Sequence, residues 1–155
     1  EELLQLEHPS RVMAVAASDV GTRIVTGAGD RYVRVWDAAT GDLEFELPGH
    51  SGRGGVATVS VSGDGALAVS GADPDDRVIV WDLRTGAQAR VLRGHSVNVN
   101  AVCFAGPERS GSRVASGSFD MSVRLWDLNA DAEEEEEAEA QGAFAGEPAG
   151  GAASG

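Results

Sequence analysis

The sequence predicts an all-β protein of about three four-stranded antiparallel sheets, followed by a disordered acidic tail. Three observations predict it. Tryptophan occurs three times, each time followed by aspartate, as Trp36-Asp37, Trp81-Asp82 and Trp126-Asp127, at separations of 45 and 45 residues. Histidine also occurs three times, at His8, His50 and His95, each ahead of one of those pairs. Between these markers lie short β-type runs bounded by Gly, Asp, Ser and Thr turns.

The runs follow one another in the same order in each copy. The first copy offers VMAVAA from Val12, RIVTG from Arg23, YVRVWD from Tyr32 and LEFEL from Leu43. The second offers VATVSV from Val56, LAVSG from Leu67, RVIVWD from Arg77 and ARVL from Ala89. The third offers VNAVCF from Val99, RVASG from Arg113 and VRLWD from Val123, and there the acidic tail replaces a fourth run. SDVG and SGDG separate the first and second runs, and ATG and RTG precede the fourth. The even period hides compensating changes. From histidine to the first strand valine the steps are 4, 6 and 4, and from that valine to tryptophan they are 24, 25 and 27. The extra residues sit in SGRGG, GADPDDR and AGPERSGS, turn-rich segments where added length costs little. A framework with variable loops behaves this way.

Composition narrows what such a framework could do. The formal charge is −13, of which the eight acidic residues of 129–155 carry −8 and the body, residues 1–128, the remaining −5. All 12 basic residues are arginine, so a Schiff-base lysine and a phosphate-loop lysine are excluded. The balance lacks the electrostatic footprint of a nucleic-acid binder. The single cysteine, Cys103, forms no internal disulfide and no multi-thiolate metal site, which suits a reducing compartment; in its apolar run it reads as a buried small residue. No run approaches a membrane span and no signal peptide opens the chain, so an intracellular protein, cytoplasmic or nuclear, is expected. The chain begins at Glu1, and its true start is expected upstream.

Repeats of this length with a GH…WD signature point to propeller blades. The chain resembles the WD-repeat β-propeller family over residues 1–128: Gly49-His50 and Gly94-His95, Ser70-Gly71 and Ser116-Gly117, and the three Trp-Asp pairs carry the likeness. The first copy departs from it at Glu7, where the family prefers glycine, and at Thr26, where it prefers serine. The repeats are then 8–49, 50–94 and 95–128, and residues 2–7 align as the fourth strand of a preceding or closing blade. Since closed propellers use more blades than three, three arrangements are open: the C-terminal part of a longer propeller, a two-chain ring in which each copy donates residues 2–7, and an open arc. The missing blades would come from the parent chain or from a second copy.

The resemblance implies a hydrogen-bonded tetrad in each blade. By position these are His8, Thr26, Asp30 and Trp36; His50, Ser70, Asp75 and Trp81; and His95, Ser116, Asp120 and Trp126. Asp75 is placed by its distance of six before Trp81, with Asp73 as the weaker candidate. Serine, histidine and aspartate are also the ingredients of a hydrolase, but catalysis needs one exposed site, whereas a fastener is needed in every blade. A structural role and no enzymatic activity are therefore expected, with no cofactor and no metal. The glycine turns open no helix as a phosphate loop must. The tail's glutamate run has no cation geometry, and Phe144 is its one hydrophobic anchor.

The family likeness implies a non-catalytic scaffold for proteins or peptides, bound on the face where the tetrad loops emerge. Positions flanking the tetrads are candidates: Arg11, Met13, Arg53, Asn98, Asn100 and above all Phe119, aromatics and arginine being favoured anchors. Two narrower readings stand beside this one. Trp81, Asp82 and Arg84 resemble the W-D-x-R ending of cullin-RING substrate receptors, although Asp73 and Pro74 break the small-residue run expected before it. A sensor domain of a larger NTPase or other enzyme is the other.

Overall fold

A computed structural model describes residues 1–107 and 111–130; the segment expected to be disordered lies, from residue 131 on, outside the described residues. Eleven strands form among them: β1 (Val12–Ala17), β2 (Arg23–Ala28), β3 (Tyr32–Asp37), β4 (Leu43–Pro48), β5 (Gly55–Val61), β6 (Leu67–Asp73), β7 (Val78–Asp82), β8 (Ala87–Leu92), β9 (Val99–Ala105), β10 (Arg113–Ser118) and β11 (Val123–Asp127). They pair as antiparallel meanders into three sheets, β1-β2-β3-β4, β5-β6-β7-β8 and β9-β10-β11. Among the described residues there is no α-helix, and no helix is long and apolar enough to cross a membrane.

The aspartate of each Trp-Asp pair closes the strand by making the next turn. The Asp37 carboxylate accepts the N–H groups of Ala39 and Thr40 at 2.8 and 2.9 Å, and its carbonyl accepts Gly41 N–H at 2.8 Å. Gly41 has φ of 77°, a left-handed value that glycine takes without strain. Asp82 and Gly86 repeat the arrangement. Asp127 begins it by accepting Asn129 N–H at 2.9 Å.

The sheets stack through their first strands: β5 lies across β1 and β2, and β9 across β5 and β6. Alternation along a strand sends neighbouring side chains to opposite faces. A register shift between Val56 and Thr58 brings Val56 onto the same face as Val59 and Val61, and all three face the first sheet and join Val25, Val33, Val35 and Leu47 in one buried cluster. Val99, Val102 and Phe104 do the same with Val69, Val78, Val80 and Leu92 of the second sheet. The opposite face of β5 carries Thr58 and Ser60, whose hydroxyls accept Val102 N–H and Phe104 N–H at 3.2 and 3.4 Å. At the closest approach stand glycines. A Cβ on Gly27 would lie 2.6 Å from Val56 Cγ1, and one on Gly71 would lie 2.7 Å from Val99 Cγ1. Space, not backbone conformation, demands glycine there.

One expectation is corrected, at Cys103. Residues 2–7, aligned by the sequence with the fourth strand of a preceding or closing blade, join no ladder among the described residues. They lie instead along the first sheet, where a Cβ on Gly41 would come 3.5 Å from Leu4 and 3.4 Å from Leu6. Phe45 of β4 lies over Gly86 in the corresponding way. Cys103, read as buried, is exposed, since it points to the face of the third sheet that no other sheet covers.

Gly71→Ala should destabilise the chain by about 1–3 kcal/mol, the range for overpacking a tight core, because Val99 must give way. Gly117→Ala, whose Cβ would meet only Ala101 at 3.7 Å, should change little. Urea unfolding midpoints measure both, and equal losses would refute the close-approach argument.

Candidate functional site

The loops at one end of the sheets gather the polar residues singled out by the sequence. In the second sheet, Trp81 Nε1–H donates to Ser70 Oγ at 2.8 Å, His50 Nε2 meets that oxygen at 2.8 Å, and His50 Nδ1 meets Asp75 Oδ2 at 3.0 Å. In the third, the matching distances are 2.9 Å for Trp126 to Ser116, 2.8 Å for His95 to Ser116, and 2.7 Å for His95 to Asp120. A carboxylate only accepts, so Nδ1 carries a hydrogen. With a single ring hydrogen, Nε2 then accepts from the hydroxyl, and all donors point one way, from indole through hydroxyl and imidazole to carboxylate. Ser70 and Ser116 are 0% and 2% exposed, and each oxygen is occupied by a tryptophan N–H on one side and an imidazole on the other.

The first sheet departs from this pattern. Trp36 Nε1–H donates to Thr26 Oγ1 at 3.0 Å and His8 Nε2 meets it at 2.8 Å, but His8 Nδ1 donates to the Leu6 carbonyl at 2.9 Å rather than to Asp30. The expected fourth member is taken by another partner: buried Arg34 grips Asp30 with Nη1 at 3.2 Å and Nη2 at 2.6 Å. A carbonyl accepts as a carboxylate does, so the ring keeps its hydrogen on the same nitrogen. Here an arginine takes the imidazole's place as the carboxylate's partner, and the sequence held the clue in Arg34, four residues after Asp30.

Each aspartate is held ionised. Burial alone would raise the Asp75 carboxyl, but His50 and Arg77, with the N–H groups of Arg77 and Ser51, outweigh it and hold it far below the usual carboxylate range. At Asp120 the Ser122 hydroxyl, 2.5 Å away, acts most strongly; against a burial penalty, it and His95 also depress that group. For Asp30 the Arg34 guanidinium is the main cause of a downward shift.

The remaining candidates are scattered. Asn98 donates its amide to Asp73, which ties the second and third sheets together, and it lines a cleft of about 440 Å³ between them. Ser51, Pro74, Asp75, Asp76, Arg77, Arg93, Ser96 and Val97 complete the lining. Arg53 and Arg11 are exposed near this end, and Arg11 lies over Gly29; Met13 is exposed on β1, and Asn100 half-buried on β9. Phe119 is 69% exposed, and its N–H donates at 3.1 Å to the carbonyl of Asn98, which lines the cleft. Arg84 sits at the opposite end and pairs with its own Asp82 at 3.1 and 2.9 Å. Sequence reasoning missed Arg93, Val97 and Met121; the last is almost fully exposed, in a left-handed turn with φ of 66°. Among the described residues no group of His, Cys, Asp and Glu could hold a metal ion.

The family model for the WD domain, G-beta repeat, matches residues 1–37, 41–82 and 86–127. The chain belongs to the WD-repeat family. Each matched unit of this WD-repeat chain ends at a Trp-Asp pair and begins ahead of the preceding histidine, so the second and third sequence repeats each straddle two sheets. The small ribosomal subunit protein RACK1 of Drosophila melanogaster is 39% identical over 68% of this chain and 30% of its own length. The ribosome biogenesis protein WDR12 homolog of Ixodes scapularis is 33% identical over 81% and 29%, and protein tipD of Dictyostelium discoideum 31% over 78% and 19%. The chain thus spans less than a third of these relatives. The structure of U3-55K shares the fold, with a TM-score of 0.69 and 22% identity over 79% of this chain and 37% of that one.

Ser70→Ala should lower the unfolding free energy by about 1–3 kcal/mol, the usual cost of leaving buried partners unpaired. Acid should weaken the fold through Asp75. Its carboxyl is depressed in the native state, so its contribution is complete above the unfolded value of roughly 4 and declines as pH falls below it. Asp75→Asn should flatten that acid decline of urea stability; an unchanged slope would refute the assignment.

Proposed function

We propose that this WD-repeat chain is a non-catalytic scaffold that binds a protein or peptide at the tetrad-loop end, in the cleft between the second and third sheets. The cleft carries the reading. It is lined by exposed Arg93 and Asp76 and by apolar Val97, and exposed Phe119 is tied through its backbone N–H to Asn98 of the lining, a mixture suited to an extended peptide with both charged and apolar side chains. The tetrads beneath consume their own polar atoms, which leaves recognition to the loop residues above them. Relatives named for the ribosomal subunit and for ribosome biogenesis support an intracellular setting within larger assemblies.

Peptides selected from a random display library against the folded chain provide the test. Phe119→Ala and Arg93→Ala should each weaken a selected peptide's binding at least tenfold while moving the melting temperature little. Backbone amide shifts on titration should cluster at Ser51, Arg93, Val97 and Asn98. Shifts confined to the Arg84 end, or a Phe119→Ala variant that binds normally and melts early, would overturn the proposal.

A further inference from the structure

The loop that leads into β9 differs from its two counterparts on either side of its histidine. Two residues before the histidine stand Leu6, Pro48 and Arg93, and one residue after it Pro9, Ser51 and Ser96. The third copy alone therefore sets an arginine three residues ahead of a hydroxyl in this loop. Arg93, Ser96 and Val97 are exposed, and all three line the cleft between the second and third sheets. Residues 93–95 belong to no helix or strand. Two other hydroxyls follow a described arginine at the same spacing, Thr26 after Arg23 and Ser116 after Arg113. They are 4% and 2% exposed and are held in the tetrads.

The Ser96 N–H donates to Asp120 Oδ2 at 3.2 Å, as the Ser51 N–H donates to Asp75 Oδ2 at 3.2 Å, so the two serines are held alike. Their hydroxyls differ. That of Ser51 already accepts from Arg77 Nη2 at 3.3 Å. The position matching Arg77 in the third copy is Ser122, whose hydroxyl donates to Asp120. Among the described residues neither the Ser96 hydroxyl nor the Arg93 guanidinium has a hydrogen-bond or ion-pair partner. Two further arginines stand near: a Cβ on Gly94 would lie 2.8 Å from Arg124 Nη1, and Arg77 lines the same cleft. Against them stand three carboxylates. Those of Asp75 and Asp120 are occupied by their donors, and Asp76 is exposed to water.

We propose that Ser96 is the acceptor of a protein kinase that reads arginine three residues ahead of the hydroxyl, and that the phosphate pairs with Arg93 and shuts the cleft. Charge complementarity of this kind is how kinases choose their substrates. The Ser96 Oγ–H bond breaks and an Oγ–P bond forms. The γ-phosphoryl group comes from a nucleoside triphosphate, the diphosphate leaves, and the proton passes to the kinase's catalytic base. The product carries a charge of about −1.5 to −2 and acceptor oxygens that match a guanidinium. It withdraws Arg93 from a peptide and places a negative charge where that peptide would lie. This closing role rests on the cleft being the peptide site; the modification itself does not.

Incubating the full chain with a purified arginine-directed kinase and labelled ATP, then mapping the phosphate by mass spectrometry, tests the site. The label should map to Ser96. Arg93→Ala should slow labelling at least tenfold and Arg93→Lys less, with circular dichroism confirming that both fold. In a chain carrying phosphoserine installed directly at position 96, the phosphorus resonance should titrate below the ordinary second pKa of about 6, because Arg93 favours the dianion. Arg93→Ala should return it toward that value. A peptide selected on the unmodified chain should bind the phosphorylated chain at least tenfold more weakly. Label that maps elsewhere, labelling indifferent to Arg93, or a titration unchanged by Arg93→Ala would overturn the proposal whether or not a peptide binds. Equal peptide binding by the two forms would overturn the closing role. A selected peptide that never touches the cleft would overturn the earlier reading, and labelling and titration would still decide Ser96.

Discussion

A sheet with valines on both faces gains stability by covering each of them, and this constraint organises the chain. Each interior sheet contact buries a row of branched side chains, and fully burying one such residue contributes about 1.5–3 kcal/mol. The rows interlock because the second strand presents glycine where the next first strand presents valine: Gly27 under Val56, and Gly71 under Val99. The same face that makes the middle sheet stable makes the outer two incomplete. The second sheet is buried on both sides, while the first exposes Val12 and Val15 and the third exposes Val123 and Leu125. These exposures arise from position in the stack, since the residue types are much the same in all three copies.

Fastening within a sheet uses the opposite chemistry. The loop carrying histidine returns to its own sheet and is fixed there by a hydroxyl between an indole and an imidazole. A buried network stabilises only if every member is satisfied, and among the described residues no buried side-chain nitrogen or oxygen lacks a partner. Arginine and serine complete the shells: Arg77 on Asp75, Arg34 on Asp30, Ser122 on Asp120. The apolar contacts are repeated with little variation. The polar contacts vary in their outer partners, because any group that can donate to the carboxylate serves.

That difference explains what could be read from the sequence. Strand order, turn positions and the Ser/Thr-His-Trp linkage were legible because the Trp-Asp spacing and the glycine positions repeat. Asp75, set across an insertion by its distance from Trp81, meets His50. The Asp30 partner was not legible from the family pattern, because Arg34 competes for the carboxylate and a backbone carbonyl satisfies His8 equally well. Cys103 misled for another reason. Its apolar neighbours along the strand indicate a core, but alternation sends Val102 and Phe104 inward and Cys103 outward, and nothing in local sequence says which face another sheet will cover.

The hydrogen-bond order of the tetrads, hydroxyl to imidazole to carboxylate, is the polarity that a serine nucleophile requires. What separates these sites from that use is the fourth member. A nucleophilic oxygen needs a lone pair free to attack and a path for the substrate carbonyl to within about 3 Å of it. Ser70 and Ser116 are buried, and a tryptophan N–H takes one of the two lone pairs of each hydroxyl. The added donor joins each hydroxyl to the third strand of its sheet, so that the linkage braces the sheet. The brace sits directly beneath the loops that carry Arg93, Val97, Asn98 and Phe119, and it holds their backbone in place while spending none of their side chains. A rigid platform under variable loops lets one sheet geometry recur while the surface above it differs from copy to copy.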